Sequence, residues 1–353
     1  VREKIAAREH ADSAGIFDLL AIIGRDCVGA LRFVPEGLNP GDPTKMEYRP
    51  VSDDEIAARL ASLGTTPLGV HVDDDDFRIS IAGVQEKTAF LRIDDHWQLP
   101  LGPTPTSHIF KPAMKEGPAG ADFSDTPWNE WFCLVLCRAL GLESANAEVL
   151  LFDDKPVIAI ERFDRVWQDG VLYRLPQEDI CQALGVPPVR KYQSDGGPGI
   201  VDVLEFLNGA ITPYEDRMAF MKAQIVFWLL AAIDGHAKNF SIFLSPGGYR
   251  LTPLYDVMSA APWPEFSDHK IKLAMALGNK NHYRLKEIQL RHFYQSGQKA
   301  GLREQDMDSI FSDLATQMDA AIAVAAALAT DAGMPESTSA PILAGVNKRA
   351  GML

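Results

Sequence analysis

At 353 residues, with 46% hydrophobic and 23% charged positions, the chain is long enough to bury more than one core and needs no disulfide staples. Its 48 acidic residues outnumber 34 basic ones, and a net charge of −14 excludes a chain that binds nucleic acid on its own through a broadly basic surface. The four cysteines form no C-x-x-C pair, and Cys133 and Cys137 fall one helical turn apart inside WFCLVLCRAL, the pattern of buried thiols in a reducing cytoplasm.

The opening VREKIAAREH is charged from its second residue, unlike a secretory leader, and its mid-helix character without Met suggests a missing upstream piece. Residues 1–35 and 52–64 are predicted as short helices, the second capped by Ser52, with the loop EGLNPGDPT between them. The acidic run Asp73 to Asp76 reads as a solvated turn, since it lacks the spacing of a calcium loop. FRISIAGVQEKTAFLRI alternates around a polar centre and predicts a hairpin, with HWQLP and SHIFKP as further strands. Pro127 suits a first helical turn capped by Asp125 or Thr126, so 127–141 is a predicted helix closed by Gly141. Strands return at AEVLLF and PVIAIERF. From 178 on the pattern is helical, interrupted only by FSIFL and YRLTPLY around the turn SPGG, and residues 291–332 end in an Ala-rich helix. The longest apolar run, 225–233, is too short to span a bilayer, and a cytoplasmic protein without membrane contact is expected. The fold class is α+β: a β-rich lobe over 1–177, then a larger helical lobe over 178–353.

One stretch asks for chemistry. In IDGHAKNFSIFL, Asp234, His236 and Asn239 sit on a connection between a buried helix and a strand, and Asp256 ends the next strand. A carboxylate to orient a hydroxyl, followed by Asn and Asp oxygens for a hard cation, is what phosphoryl transfer requires. Taken singly, each has an ordinary alternative: a cap, a satisfied core histidine, a turn aspartate. Lys111 at the end of SHIFKP and Glu130 in the following helix stand in the order of a kinase ion pair. The stretch SIAGVQEK, from Ser80 to Lys87, offers backbone N–H groups and a lysine to phosphates, although a single glycine makes it a weak phosphate loop. SDGGPGI superficially imitates a dinucleotide fingerprint, but it follows no clear strand and Pro198 removes a donor, so it is read as a loop.

Taken together in order, ISIAGVQEKTAFL, SHIFKP, NEWFCLVLCRALGL, ERFDR, RLPQEDICQALG, KYQSDGGPGI, DGHAKNFSIFL and LTPLYDVMSA closely resemble the HipA family of serine/threonine kinase toxins over residues 15–315. The resemblance implies a two-lobed kinase-like fold. It implies that Asp234 activates the acceptor hydroxyl and that Asn239 and Asp256 hold Mg²⁺. ATP would be met by Ala82, Gly83, Val84, Gln85, Glu86 and Lys87 of the loop, by Lys111, by Glu161 and Phe163 at the hinge, and by Gln177, His236, Lys238 and Asn239, with Glu130 as the supporting ion-pair partner. Ser80 would be the autophosphorylated residue, and a phosphate there repels a loop that must bind phosphates. Asp256-Val-Met stands where many kinases have D-F-G, so a Phe flip is not expected. The implied partners are a small helix-turn-helix antitoxin dimer, HipB, which supplies most of the contact to operator DNA, and a protein substrate such as glutamyl-tRNA synthetase. Basic residues between Lys270 and Arg303, such as Arg284, Lys286 and Arg291, either add phosphate contacts or form a solvated face. Two alternatives stand beside the kinase: a metal-dependent phosphohydrolase using Asp234, His236, Asn239 and Asp256, and a catalytically silent scaffold of a repressor complex.

Overall fold

The computed structural model describes residues 3, 6, 11, 13–63, 79–80, 85–114, 121–266 and 271–353. Asp73 to Asp76, and Ala82, Gly83 and Val84 of the expected phosphate loop, lie outside the described residues. The chain forms two compact units, one of Val1–Met114 with Ala147–Gln177 and one of Lys115–Asn146 with Glu178–Leu353.

In the first unit the helix α1 (Ile16–Ile23) precedes the short strand β1 (Asp26–Cys27), and β2 (Glu47–Pro50) precedes α2 (Asp53–Ser62). Ser52 caps α2 as its sequence predicts, its hydroxyl accepting from Glu55 N at 3.2 Å. The strands β3 (Ile79–Ser80), β4 (Thr88–Ile93), β5 (His96–Leu101) and β6 (His108–Pro112) follow. After an excursion into the second unit come β7 (Ala147–Phe152), β8 (Lys155–Glu161), β9 (Arg165–Gln168) and β10 (Val171–Arg174). Six of them make one antiparallel sheet in the order β2-β5-β4-β6-β8-β7. Alternate residues such as Phe90, Leu99, Phe110 and Val157 enter one core, on which α2 lays Ile56, Ala57 and Leu60. Among the described residues of FRISIAGVQEKTAFLRI, the expected hairpin pairing is replaced by others: β3 pairs in parallel with β1, while β4 pairs with β5 and β6. Thr88, Ala89 and Phe90 are all buried, so the sheet interior, not a solvated ribbon, claims that strand.

The second unit opens with α3 (Thr126–Ala139), buried without interruption from Thr126 to Cys137. That explains its membership: it packs among helices of this unit, although its place in the sequence suggested the β-rich lobe. The strand β11 (Gln177–Asp179), the single-turn helix α4 (Ile180–Ala183), α5 (Ile200–Phe206) and the eighteen-residue α6 (Pro213–Leu230) lead to β12 (Ser241–Ser245) and β13 (Gly248–Leu251). Beyond the two strands expected in this helical lobe, β14 (Lys272–Leu277) and β15 (His282–Arg284) form a further hairpin. Gly278 and Asn281, at φ of 76° and 52°, supply the left-handed backbone its turn needs. The helices α7 (Leu290–Lys299), α8 (Glu304–Asp331) and α9 (Glu336–Ala350) complete the unit. Among the described residues α8 is the one helix long and apolar enough, by length and composition, to cross a membrane. Its buried residues, Met307, Ile310, Phe311, Leu314, Met318, Ala321, Ala325 and Ala329, recur at three- and four-residue steps, the stripe of a helix packed on a protein core. All four cysteines are buried free thiols.

Candidate active site

The loop after α6 is built from the core outward. Ala231 ends α6 in the left-handed conformation (φ 55°), turning the chain away from the helix axis. Phe240 then plugs the loop back into the core, 4.9 Å from the Phe220 ring and 5.6 Å from the Phe227 ring of α6. Gly235 passes so close to Phe227 that a Cβ there would lie 2.4 Å from its ring. Between these anchors, the backbone carbonyl of Asp234 accepts from His236 N at 2.8 Å and from Asn239 Nδ2 at 2.8 Å, closing a tight turn.

A second stretch is stitched alongside. Ser259 pairs with Ala232 in an antiparallel bridge, its hydroxyl donates to Leu230 O at 2.5 Å, and Ala260 N donates to Ala231 O at 3.0 Å. Both backbone groups of Ser259 are also held by the buried Asn129 of α3, at 2.8 and 2.9 Å. Three residues before Ser259, Asp256 adopts a left-handed φ of 58°. A non-glycine residue there is uncommon and is retained where the surrounding structure determines it. Both carboxylates act on the same neighbours: Asp234 and Asp256 each raise the pKa of His236 and of the Tyr192 phenol. Sequence reasoning missed Asn129 and Ser259, since an Asn inside an apolar helix and a Ser in a loop carry no signal of what they hold.

Asp234 and His236 differ sharply in exposure, their side chains being 49% and 4% accessible. The carboxylate therefore faces outward, where a reacting group can reach it. Its Oδ1 accepts from the Tyr192 hydroxyl at 2.5 Å and lies 3.8 Å from His236 Nε2, too far for a hydrogen bond. Burial lowers the His236 pKa below the usual 6.5, against the raising effect of Asp234, so the ring is neutral at neutral pH. Neither of its nitrogens has a hydrogen-bond partner among the described residues. The Lys238 ammonium pairs with Asp179, whose carboxylate also caps α4 through Gln182 N at 2.9 Å. Beneath them the Tyr255 hydroxyl donates to Lys238 O at 2.8 Å and lies 2.6 Å from Ser241 Oγ.

The remaining expected residues belong to the first unit, apart from Glu130, which is buried in α3. Lys111 is buried on β6, opposite Ile158 of β8. Gln85 Nε2 donates to Pro112 O at 3.2 Å, so the segment carrying Gln85, the exposed Glu86 and the buried Lys87 lies against the end of β6 beside Lys111. Glu161 is exposed at the end of β8, Phe163 follows half-buried, and Gln177 opens β11 half-buried. Ser80 pairs through its backbone with Cys27 across β1 and β3.

What the motif ERFDR also carries, unforeseen, is a buried ion cluster. Arg162 and Arg165 both donate to Cys27 O at 2.9 Å and, with Arg174, surround the Asp26 carboxylate at 2.8–3.1 Å. Burial alone would raise the Asp26 pKa, but the guanidinium groups of Arg165, Arg162 and Arg174 hold it far below the usual carboxylate range. Asp164 completes the cluster, accepting from Gly29 N at 2.8 Å. The strand on which Ser80 leans is thereby clamped to the end of β8.

Comparison with known proteins places the chain in a family. The profile of the HipA-like C-terminal domain matches residues 79–322. A Sinorhizobium fredii protein named "Putative kinase Y4mE" is 36% identical over 272 residues, covering 76% of this chain and 62% of its own length. The serine/threonine-protein kinase toxin HipA of Shewanella oneidensis is 28% identical over 279 residues, covering 75% of this chain and 60% of its own. The chain thus spans about six-tenths of the length of these curated relatives. Among solved structures, a chain of the Shewanella oneidensis HipA, HipB and operator DNA complex superposes with a TM-score of 0.79 at 24% identity, covering 98% of this chain and 80% of that one. The Helicobacter pylori proinflammatory kinase CtkA follows at 0.52 and 12%, covering 77% and 89%, and both likenesses support the mixed α and β fold. With a profile match over well more than half of its length, the chain belongs to the HipA-like family through that family's C-terminal domain.

Proposed function

We propose that the chain is an ATP- and Mg²⁺-dependent protein serine/threonine kinase acting as the toxin of a toxin–antitoxin pair in the cytoplasm. The observation that carries this reading is the juxtaposition of an outward-facing Asp234 carboxylate with Asn239 and Asp256 on two stretches stitched together through Ser259. The donor types suit a hard cation: with the Asn239 amide nitrogen committed to Asp234 O, the Asn239 amide oxygen and the Asp256 carboxylate are the groups that would hold Mg²⁺. Held there, Mg²⁺ would supply positive charge to the transferred phosphoryl group of ATP. Asp234 orients the acceptor hydroxyl and takes its proton. Lys87 and Lys111 supply positive charge to phosphates, and the backbone at Glu161 and Phe163 receives the base. Autophosphorylation of Ser80 is the off-switch. The acceptor is a translation component such as glutamyl-tRNA synthetase, and a HipB-like helix-turn-helix dimer, which contacts operator DNA, is the partner. The curated relatives named as kinases support the reading. Among the described residues no group of three or more His, Cys, Asp or Glu side chains is disposed to hold a metal ion, which gives a hydrolytic metal centre no support.

The test is transfer of label from γ-labelled ATP with Mg²⁺, followed by peptide mapping. Label is expected on Ser80 or on added synthetase, and Asp234→Asn is expected to reduce it by at least about a hundredfold. Equal labelling by the Asp234→Asn variant removes Asp234 as the base, and no labelling by the wild type removes the kinase and leaves the silent scaffold.

A further inference from the structure

KYQSDGGPG, discarded as a nucleotide fingerprint, has a different use in the structure. Its tyrosine is the side chain that touches the candidate base: among the described residues the hydrogen bond to the Asp234 carboxylate comes from Tyr192. The other neighbours do not supply one, because His236 Nε2 stands 3.8 Å away and the Asn239 amide is spent on the backbone carbonyl. A half-exposed aspartate on a loop would otherwise rotate among several rotamers, few of which point at an acceptor.

Tyr192 is itself held on several sides. Its ring meets His236 edge to face at 4.9 Å, and the Lys191 ammonium lies 5.0 Å from the ring centre. Its carbonyl accepts from Asp195 N and Gly197 N, each at 3.0 Å, and the next residue, Gln193, accepts through Oε1 from Ala276 N of β14 at 2.6 Å. The glycines explain how so tight a loop closes. A Cβ on Gly197 would lie 2.0 Å from Arg190 O and 2.8 Å from Tyr192 O, and one on Gly199 would lie 2.4 Å from the Gln193 side chain.

We propose that Tyr192 is a positioning residue for Asp234: it holds Oδ1 so that Oδ2 is presented to the acceptor hydroxyl. The proposal rests on the kinase reading. It predicts a loss in turnover without a loss in nucleotide binding, because Tyr192 acts on the base alone.

The experiment compares wild type, Tyr192→Phe and Asp234→Asn in label transfer from γ-labelled ATP to a generic basic acceptor protein, with affinity for a fluorescent ADP analogue and thermal midpoint measured on the same samples. Tyr192→Phe removes one oxygen and keeps the ring against His236. It is expected to lower kcat about tenfold while the analogue's Kd and the KM for ATP stay within about twofold and the midpoint is unchanged. Unchanged kcat overturns the proposal, as does a loss of kcat matched by lost nucleotide affinity or a lowered midpoint. Wild-type turnover in Asp234→Asn overturns Asp234 as the base and the proposal with it, whereas an inactive wild type overturns the kinase reading itself.

Discussion

His108 shows how much a single half-buried ring contributes to the response of the first unit to acid. It lies on β6 with its Nδ1 2.8 Å from Ser107 Oγ and its ring 5.1 Å from that of Trp97. Burial lowers its pKa from 6.5 to about 4, outweighing the opposing pull of Glu161. The unfolded chain therefore takes up a proton near pH 6.5 that the folded chain refuses until about pH 4, and stability falls as pH drops through that window. At about 1.4 kcal/mol per pH unit, the loss is on the order of 3 kcal/mol. His236, lowered below the usual 6.5 by its own burial, contributes with the same sign. Asp26 does not interfere: its depressed pKa stabilises above the usual carboxylate value, so its contribution is lost only at lower pH. Urea midpoints between pH 7 and 4 are expected to fall for the wild type and to fall less for His108→Gln. Parallel curves for the two proteins would remove this account.

At the scale of elements, the site depends on how closely the loop after α6 can approach its own helix. Gly235 has space for a hydrogen only, since a Cβ would lie 2.4 and 2.6 Å from two ring atoms of Phe227, whose side chain is buried and rigid. Gly235→Ala is expected to move the Asp234 loop off α6, lowering turnover by at least about tenfold and the midpoint of unfolding together. Gly235→Ala combined with Phe227→Leu, which makes room, is expected to recover part of both, and crystal structures of the pair would show the loop position. Such close approaches are invisible in a sequence, where DGHAKN reveals the residue types of a phosphoryl-transfer loop but not the ring beneath it. Strands and long helices were legible because their apolar residues repeat at two or at three to four positions, and α2, β4 to β8, α6, β12 and β13 lie where that period puts them. The turns were less so. Three two-residue hairpins turn on Asp94-Asp95, Asp153-Asp154 and Asp169-Gly170, all with positive φ, and only the last pair has the familiar turn sequence. The ion cluster of Asp26 with Arg162, Arg165 and Arg174 was hidden for another reason: its members are separated by up to 148 positions, and charges carry no periodicity.

Over the whole molecule the charge of −14 bears on which member of the proposed complex would meet DNA. Each phosphate neutralised by a cation releases a counterion and adds about 0.9 to the slope of log affinity against log salt. The basic residues between Lys270 and Arg303 were the best local source of such contacts, yet two of them are engaged within the chain: Arg284 pairs with Glu287 at 3.2 Å and Arg303 with Asp306 at 2.7 Å. A cation already beside a carboxylate gives less to a phosphate, because binding then costs the existing pair. This chain alone is accordingly expected to show no saturable binding to a 20-base-pair duplex up to about 100 μM at physiological salt. With the proposed antitoxin bound to its operator, adding this chain should leave the salt slope within about one unit of the antitoxin's own, the value of a single phosphate contact. Fluorescence anisotropy of labelled operator across 50–300 mM salt measures both quantities, where about fifty and three hundred bracket the range in which the counterion term dominates. A slope steeper by several units would place a phosphate-binding surface on this chain, and charge-reversal of Lys272, Lys280, Arg291 and Lys299, one at a time, would then be the way to locate it.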